Sequence, residues 1–156
     1  MKKLLIILIL SIPAIQEAPA QNPTHQHPQS FNLSKSGLAI GGYDPVAYFM
    51  AGKPIEGKKE NTLTIDGVSY LFSTPQNKEL FRANPAKYQP QYGGWCAYAM
   101  GSSGEKVEID PETFKILDGK LYLFYNKFFN NTLKSWNKDE PGLKTKADAN
   151  WVKIDH

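Results

Sequence analysis

Two stretches of the chain alternate apolar and polar side chains at strand period, and each is folded in its middle by the same dipeptide. Thr62-Leu63-Thr64-Ile65 and Val68-Ser69-Tyr70-Leu71-Phe72 flank Asp66-Gly67, while Phe114-Lys115-Ile116-Leu117 and Lys120-Leu121-Tyr122-Leu123-Phe124 flank Asp118-Gly119. An Asp-Gly pair between β-rich runs signals a tight hairpin, because both central turn positions need positive φ. The second pair follows the first by 52 residues, and Asp-Gly-x-x-Tyr-Leu-Phe recurs position by position.

Helical signals surround the hairpins. Asp44-Pro45 before Val46-Ala47-Tyr48-Phe49-Met50 predicts a capped short helix ended by Gly52, preceded by a short strand at Leu38 to Ile40. Ser73-Thr74-Pro75 opens a helix to about Asn84 with Leu80 and Phe81 inward, and Asn84-Pro85 breaks it. After the second hairpin a helix is predicted from about Asn126 to Asn137, with Phe129, Leu133 and Trp136 as its apolar stripe. Ala147, Trp151 and Ile154 share one face of a last helix within residues 142–154. The fold class expected is therefore α+β: a small antiparallel sheet from two β-hairpins, each followed by a helix as a pseudo-repeat, plus a short N-terminal helix and a C-terminal helix. Neither copy buries its own face, so the two copies pack on each other.

The first residues change the picture of where the protein works. Lys2-Lys3, the apolar run from Leu4 to Leu10 and the small-x-small site Ala18-Pro19-Ala20 have the layout of a secretory signal peptide, which predicts cleavage after Ala20 and a periplasmic or secreted protein. Ser11, Pro13 and Gln16 interrupt the run before it reaches spanning length, so no transmembrane anchor is expected. Residues 21–36 are polar and aperiodic and read as a flexible tether. The globular domain is expected over residues 37–154.

Charge and cysteine content narrow the chemistry. Without Lys2, Lys3 and Glu17 the chain keeps 16 basic and 14 acidic side chains, a net charge of +2 and evenly mixed, which gives no ground for a nucleic-acid partner. Cys96 is the only cysteine. In an oxidising compartment it is buried and inert, paired with another molecule, or used as a ligand or nucleophile. The histidines are His25, His27 and His156, so residues 37–154 contain none. Cys-His and Ser-His pairs and imidazole metal sites are thereby excluded from the domain, and no carboxylate, lysine or tyrosine spacing marks a catalytic set.

With these segments assigned, the chain resembles the exported bacterial branch of the YHS-domain family. The likeness rests on Tyr43-Asp44-Pro45-Val46-Ala47-Tyr48-Phe49, Tyr70-Leu71-Phe72-Ser73-Thr74-Pro75-Gln76-Asn77, Phe81-Arg82-Ala83-Asn84-Pro85-Ala86-Lys87-Tyr88 and Tyr92-Gly93-Gly94-Trp95-Cys96-Ala97-Tyr98. Asp118-Gly119-Lys120-Leu121-Tyr122-Leu123 and Ala147-Asp148-x-Asn150-Trp151 extend it over nearly all of residues 37–154. In heavy-metal transporters related domains carry cysteines thought to bind metal; the corresponding places here hold Ala47, Ser73 and Asn77, so that function does not transfer to them.

Two readings of function follow. In the preferred one the domain is a non-enzymatic binder of a small ligand, in the first place a thiophilic metal ion such as copper, held by Cys96 with Asp44 and Met100. Gly93-Gly94 would let a ligand, or another stretch of backbone, approach the cysteine closely. In the alternative the domain is a protein-interaction or structural module with Cys96 sealed in the core. A thiol redox role lacks a resolving cysteine. Met50 is a further candidate thioether, His25-x-His27 a candidate Cu(II) or Zn(II) arm, and the many tyrosines either core or the wall of a pocket for a planar ligand.

Overall fold

Both Asp-Gly pairs close hairpins, as their left-handed turn preference requires: φ is 51° and 80° at Asp66 and Gly67, and 51° and 71° at Asp118 and Gly119. The computed structural model describes residues 28–155; the signal-like segment, His25, His27 and His156 lie outside them. The first hairpin pairs β1 (Lys58–Ile65) with β2 (Val68–Phe72), and the second pairs β3 (Asp110–Leu117) with β4 (Lys120–Phe124). Around them stand α1 (Ala47–Met50), α2 (Pro75–Ala83), α3 (Pro85–Tyr88), α4 (Ala97–Ser102), α5 (Thr132–Trp136) and α6 (Glu140–Ile154). A third, two-residue hairpin joins β5 (Asn126–Lys127) to β6 (Asn130–Asn131). The fold is α+β, and its three ladders remain separate instead of merging into one sheet.

The internal repeat runs deeper than its hairpins. Both ladders shift register at the same place, between Lys58 and Thr62 in one and Asp110 and Phe114 in the other. Ahead of each, a single parallel bridge touches the outgoing strand, Leu38 to Ser69 and Pro90 to Leu121. Three consecutive left-handed residues then reverse the chain, Ile40-Gly41-Gly42 and Tyr92-Gly93-Gly94. Every one of these pairs is separated by the same 52 residues seen in the Asp-Gly pairs. Positive φ at Ile40 is costly for a β-branched side chain, and the same geometry at Tyr92 marks it as architectural.

The core lies on both sides of β4. Leu121 and Leu123 face one apolar cluster, with Val68, Tyr70 and Phe72 of β2 and Phe81 of α2; Tyr122 and Phe124 face a second, with Met100, Trp136, Leu143 and Ala147. Alternation across a strand gives that division, and a strand buried on both faces reads as the continuous run Leu121 to Phe124. Helix α6 closes the second cluster through Tyr92 Oη, which donates to Asp148 at 2.8 Å, and through Asn150, which donates to the Met100 carbonyl at 2.9 Å.

Four expectations are corrected. Leu38 to Ile40 makes only bridges, because the left-handed turn begins at Ile40. Leu80 is partly exposed, while Phe81 alone carries the inward face of α2. Residues 30–32, expected within a flexible tether, are packed on the domain: Ser30 and Phe31 are buried, and the Asn32 N–H donates to the Gly93 carbonyl at 2.9 Å. The helix predicted from Asn126 is only Thr132–Trp136, since Asn131 Oδ1 caps it at the Leu133 N–H and the residues before it form β5 and β6.

Glu140 begins α6, accepts from the Trp136 indole at 2.8 Å and pairs with Lys115 of β3. The Lys115 hydrogen bond holds its carboxyl below the usual glutamate value of 4.5. Between the folded and unfolded values the unfolded chain binds more protons, so this contribution is complete above about pH 4.5 and is lost as pH falls through the folded value. Chemical denaturation at stepped pH should show Glu140→Gln weakened at pH 7 by under about 1 kcal/mol, with a shallower acid decline than the parent.

Candidate functional site

Two of the residues singled out for chemistry, Asp44 and Cys96, fall at equivalent points of the two copies. Asp44 follows the first left-handed turn and is fully buried. Its Oδ1 accepts from the N–H groups of Val46 (2.9 Å) and Ala47 (3.3 Å), which caps α1 as an aspartate before proline should. Its Oδ2 accepts from Ser73 N–H (2.8 Å), Ser73 Oγ (2.6 Å) and Asn77 Nδ2 (2.7 Å). Five donors take up the lone pairs of both oxygens, so the carboxyl group is committed to joining α1 to the β2–α2 corner.

Cys96 takes the place of Asp44 in the second copy. Asp44 N–H donates to the Ile55 carbonyl at 2.8 Å and Cys96 N–H to the Val107 carbonyl at 3.0 Å, again 52 residues apart on both sides. The first residue after each hairpin then donates its N–H to the anchor: Ser73 to Asp44 Oδ2, and Tyr125 to Cys96 Sγ at 3.4 Å. Cys96 Sγ also lies 3.4 Å from Thr132 Oγ1, and the residue has no exposed surface. Sulfur is a weak acceptor, which is why the second anchor has fewer partners than the first.

The proposed ligand set is not assembled as one group of free donors. Met100 stands one turn beyond Cys96 on α4, but its side chain belongs to the second cluster while Cys96 belongs to the first. Asp44 has all its hydrogen-bond partners in the first copy. Met50 is exposed at the end of α1. Among the described residues, no three His, Cys, Asp or Glu side chains gather in a group able to hold a metal ion. The glycine pair before Cys96 admits backbone: a Cβ on Gly93 would lie 3.0 Å from the Ser30 carbonyl oxygen and 3.1 Å from Phe31 Cα. A cleft of about 480 Å³ opens beside Phe31, Ile65, Val68 and Pro85, and none of the three proposed ligands lines it.

No family model, curated protein or solved structure matches the chain.

The surface feature that sequence reading missed lies where the copies diverge. In the first copy Ser73-Thr74-Pro75 leads from β2 straight into α2; in the second the small hairpin β5–β6 intervenes. Its two turn residues are Phe128 and Phe129, with φ of 52° and 62° and relative exposures of 89% and 111%. A left-handed conformation costs an ordinary L-residue roughly 1–2 kcal/mol, and two exposed aromatic rings recover none of it from packing. The signal was in the sequence: Asn130-Asn131 are poor helix-interior residues and good caps, so the helical stripe could not start at Phe129.

Proposed function

We propose that this chain is an exported, YHS-like binding module without catalytic chemistry of its own, in which Cys96 is a sealed anchor and binding takes place on the outer surface. The observation that carries the reading is the hydrogen bond from Tyr125 N–H to Cys96 Sγ, made in the place where Ser73 N–H meets Asp44. A side chain that does the same fold-holding task in both copies is accounted for by architecture. The competing reading, a thiophilic ion held by Cys96 with Asp44 and Met100, requires an open sulfur and free carboxyl oxygens. Cys96 has no exposed surface, and all five hydrogen bonds to Asp44 would have to be surrendered.

Thiol labelling separates the two. The native protein should leave Cys96 unmodified by N-ethylmaleimide over hours, with or without one equivalent of Cu(I), and should take up one label per chain after denaturation in urea. A native thiol that reacts within minutes and is protected by stoichiometric copper would overturn this proposal in favour of the metal site.

A further inference from the structure

We propose that the Phe128–Phe129 tip is a membrane-docking wedge that enters the headgroup and acyl boundary of an anionic lipid bilayer. The inference rests on the reading of the domain as a surface-acting binding module. Strand pairing of Asn126 with Asn131 and Lys127 with Asn130 leaves only the two phenylalanines beyond the last rung, where they are almost wholly exposed. The base of the tip is held firmly: Thr132 donates to the Tyr125 carbonyl from its N–H (3.0 Å) and from its hydroxyl (2.9 Å), and Asn126 Nδ2 donates to Thr113 Oγ1 at 3.0 Å. A strained pair of rings on a fixed base is presented outward, and adjacent exposed aromatics call for a nonaqueous partner.

Charge selects the partner. Within five residues of the two phenylalanines the chain carries Lys127 and Lys134 and no aspartate or glutamate, and the Asp110 carboxylate behind the base of the tip is engaged by Glu112 N–H and Thr113 Oγ1. Lys127 in the tip and Lys134 on α5 are exposed and have no carboxylate partner among the described residues. Aromatic rings at the boundary with lysines reaching back to phosphate groups is the arrangement an anionic membrane surface rewards. Shape also favours lipid. A specific protein interface buries about 800 Å² on each partner, and this convex tip offers two rings bordered by Asn126, Asn130 and Asn131; acyl chains close around a small projection of any outline.

The test places an environment-sensitive fluorophore beside the wedge by labelling Asn130→Cys in the chain from Gln21 onward, the exported form without its basic, apolar leader, with the unmutated protein of the same length as the labelling control. Vesicles of phosphatidylglycerol and phosphatidylcholine in equal parts should blue-shift the probe, and brominated acyl chains should quench it. Pure phosphatidylcholine or about 1 M salt should weaken the response strongly. Phe128→Ser and Phe129→Ser should each lower vesicle partition about tenfold, and Lys127→Glu with Lys134→Glu should abolish the preference for anionic lipid. A probe left unmoved by anionic vesicles, or moved no more than the same fluorophore on Asp66→Cys at the first hairpin turn, would overturn the wedge. A probe that responds only to a purified protein partner would overturn it in favour of a protein pocket. Label entering the unmutated native chain at Cys96 would instead overturn the sealed-anchor reading, so the two failures are distinct.

Discussion

Asp44→Ala is expected to lower the unfolding free energy by about 3–5 kcal/mol in urea denaturation, a large share of the stability of a small domain. The substitution removes no bulky apolar group, so its effect comes from the donors it strands. Val46 N–H and Ser73 N–H each lose their acceptor, Ala47 N–H keeps only the Asp44 main-chain carbonyl at 3.2 Å, and Ser73 Oγ and Asn77 Nδ2 lose theirs beside them. A buried donor left without a partner costs roughly 1–3 kcal/mol, while the hydroxyl and amide at the half-buried rim recover part of theirs from water. Asp44→Asn retains the shape and one acceptor oxygen but turns N–H groups toward existing donors, and should fall between the parent and alanine. Cys96→Ala, at the equivalent point, should cost only about 1–2 kcal/mol, because the sulfur holds weaker bonds. Equal losses at the two positions would contradict the unequal roles assigned to the anchors.

Gly101→Ala should destabilise by about 2–3 kcal/mol, against the sign that helix propensity alone predicts. Gly101 lies inside α4 with helical φ, where alanine is ordinarily favoured by roughly 0.5–1 kcal/mol. Here an added Cβ would lie 2.5 Å from the Leu143 carbonyl oxygen and 3.2 Å from its Cα. Those atoms are backbone and cannot rotate aside, so α6 has to move away from α4. Withdrawal of α6 uncovers Trp136 and Met100 and stretches the bonds from Asn150 to Met100 and from Tyr92 to Asp148. Loss of near-ultraviolet circular dichroism and a red-shifted tryptophan emission should accompany the lower urea midpoint. An unchanged or raised midpoint would mean that the two helices do not meet at this glycine.

Local signals were legible where one short stretch of chain decides the outcome. Each Asp-Gly turn was set by the φ preference of its own two residues, Thr74-Pro75 and Asp44-Pro45 by capping chemistry, and Leu121 to Phe124 by an apolar run that only burial on two faces satisfies. Phe129 failed the same kind of reading. A helical stripe through Phe129, Leu133 and Trp136 fits the spacing, but the Thr132 bonds to Tyr125 and the Asn131 cap start the helix three residues later. The recurrence of Gly41-Gly42-Tyr43 as Gly93-Gly94-Trp95 was also in view, and would have aligned Asp44 with Cys96 before any coordinates.

By itself the amino-acid sequence determined the elements whose energetics are local: two hairpins with their Asp-Gly turns, the Asp44 and Thr74 caps and a domain without imidazole. Only the tertiary structure decided what the chemical residues face. Whether a thiol is a ligand or an anchor depends on which N–H comes to meet it from the residue after β4, 29 residues away, and whether Gly93 admits a ligand or a backbone depends on a segment more than 60 residues earlier. Such contacts are settled by how two copies close around β4, a balance of burial over the whole core that no window of neighbouring residues contains.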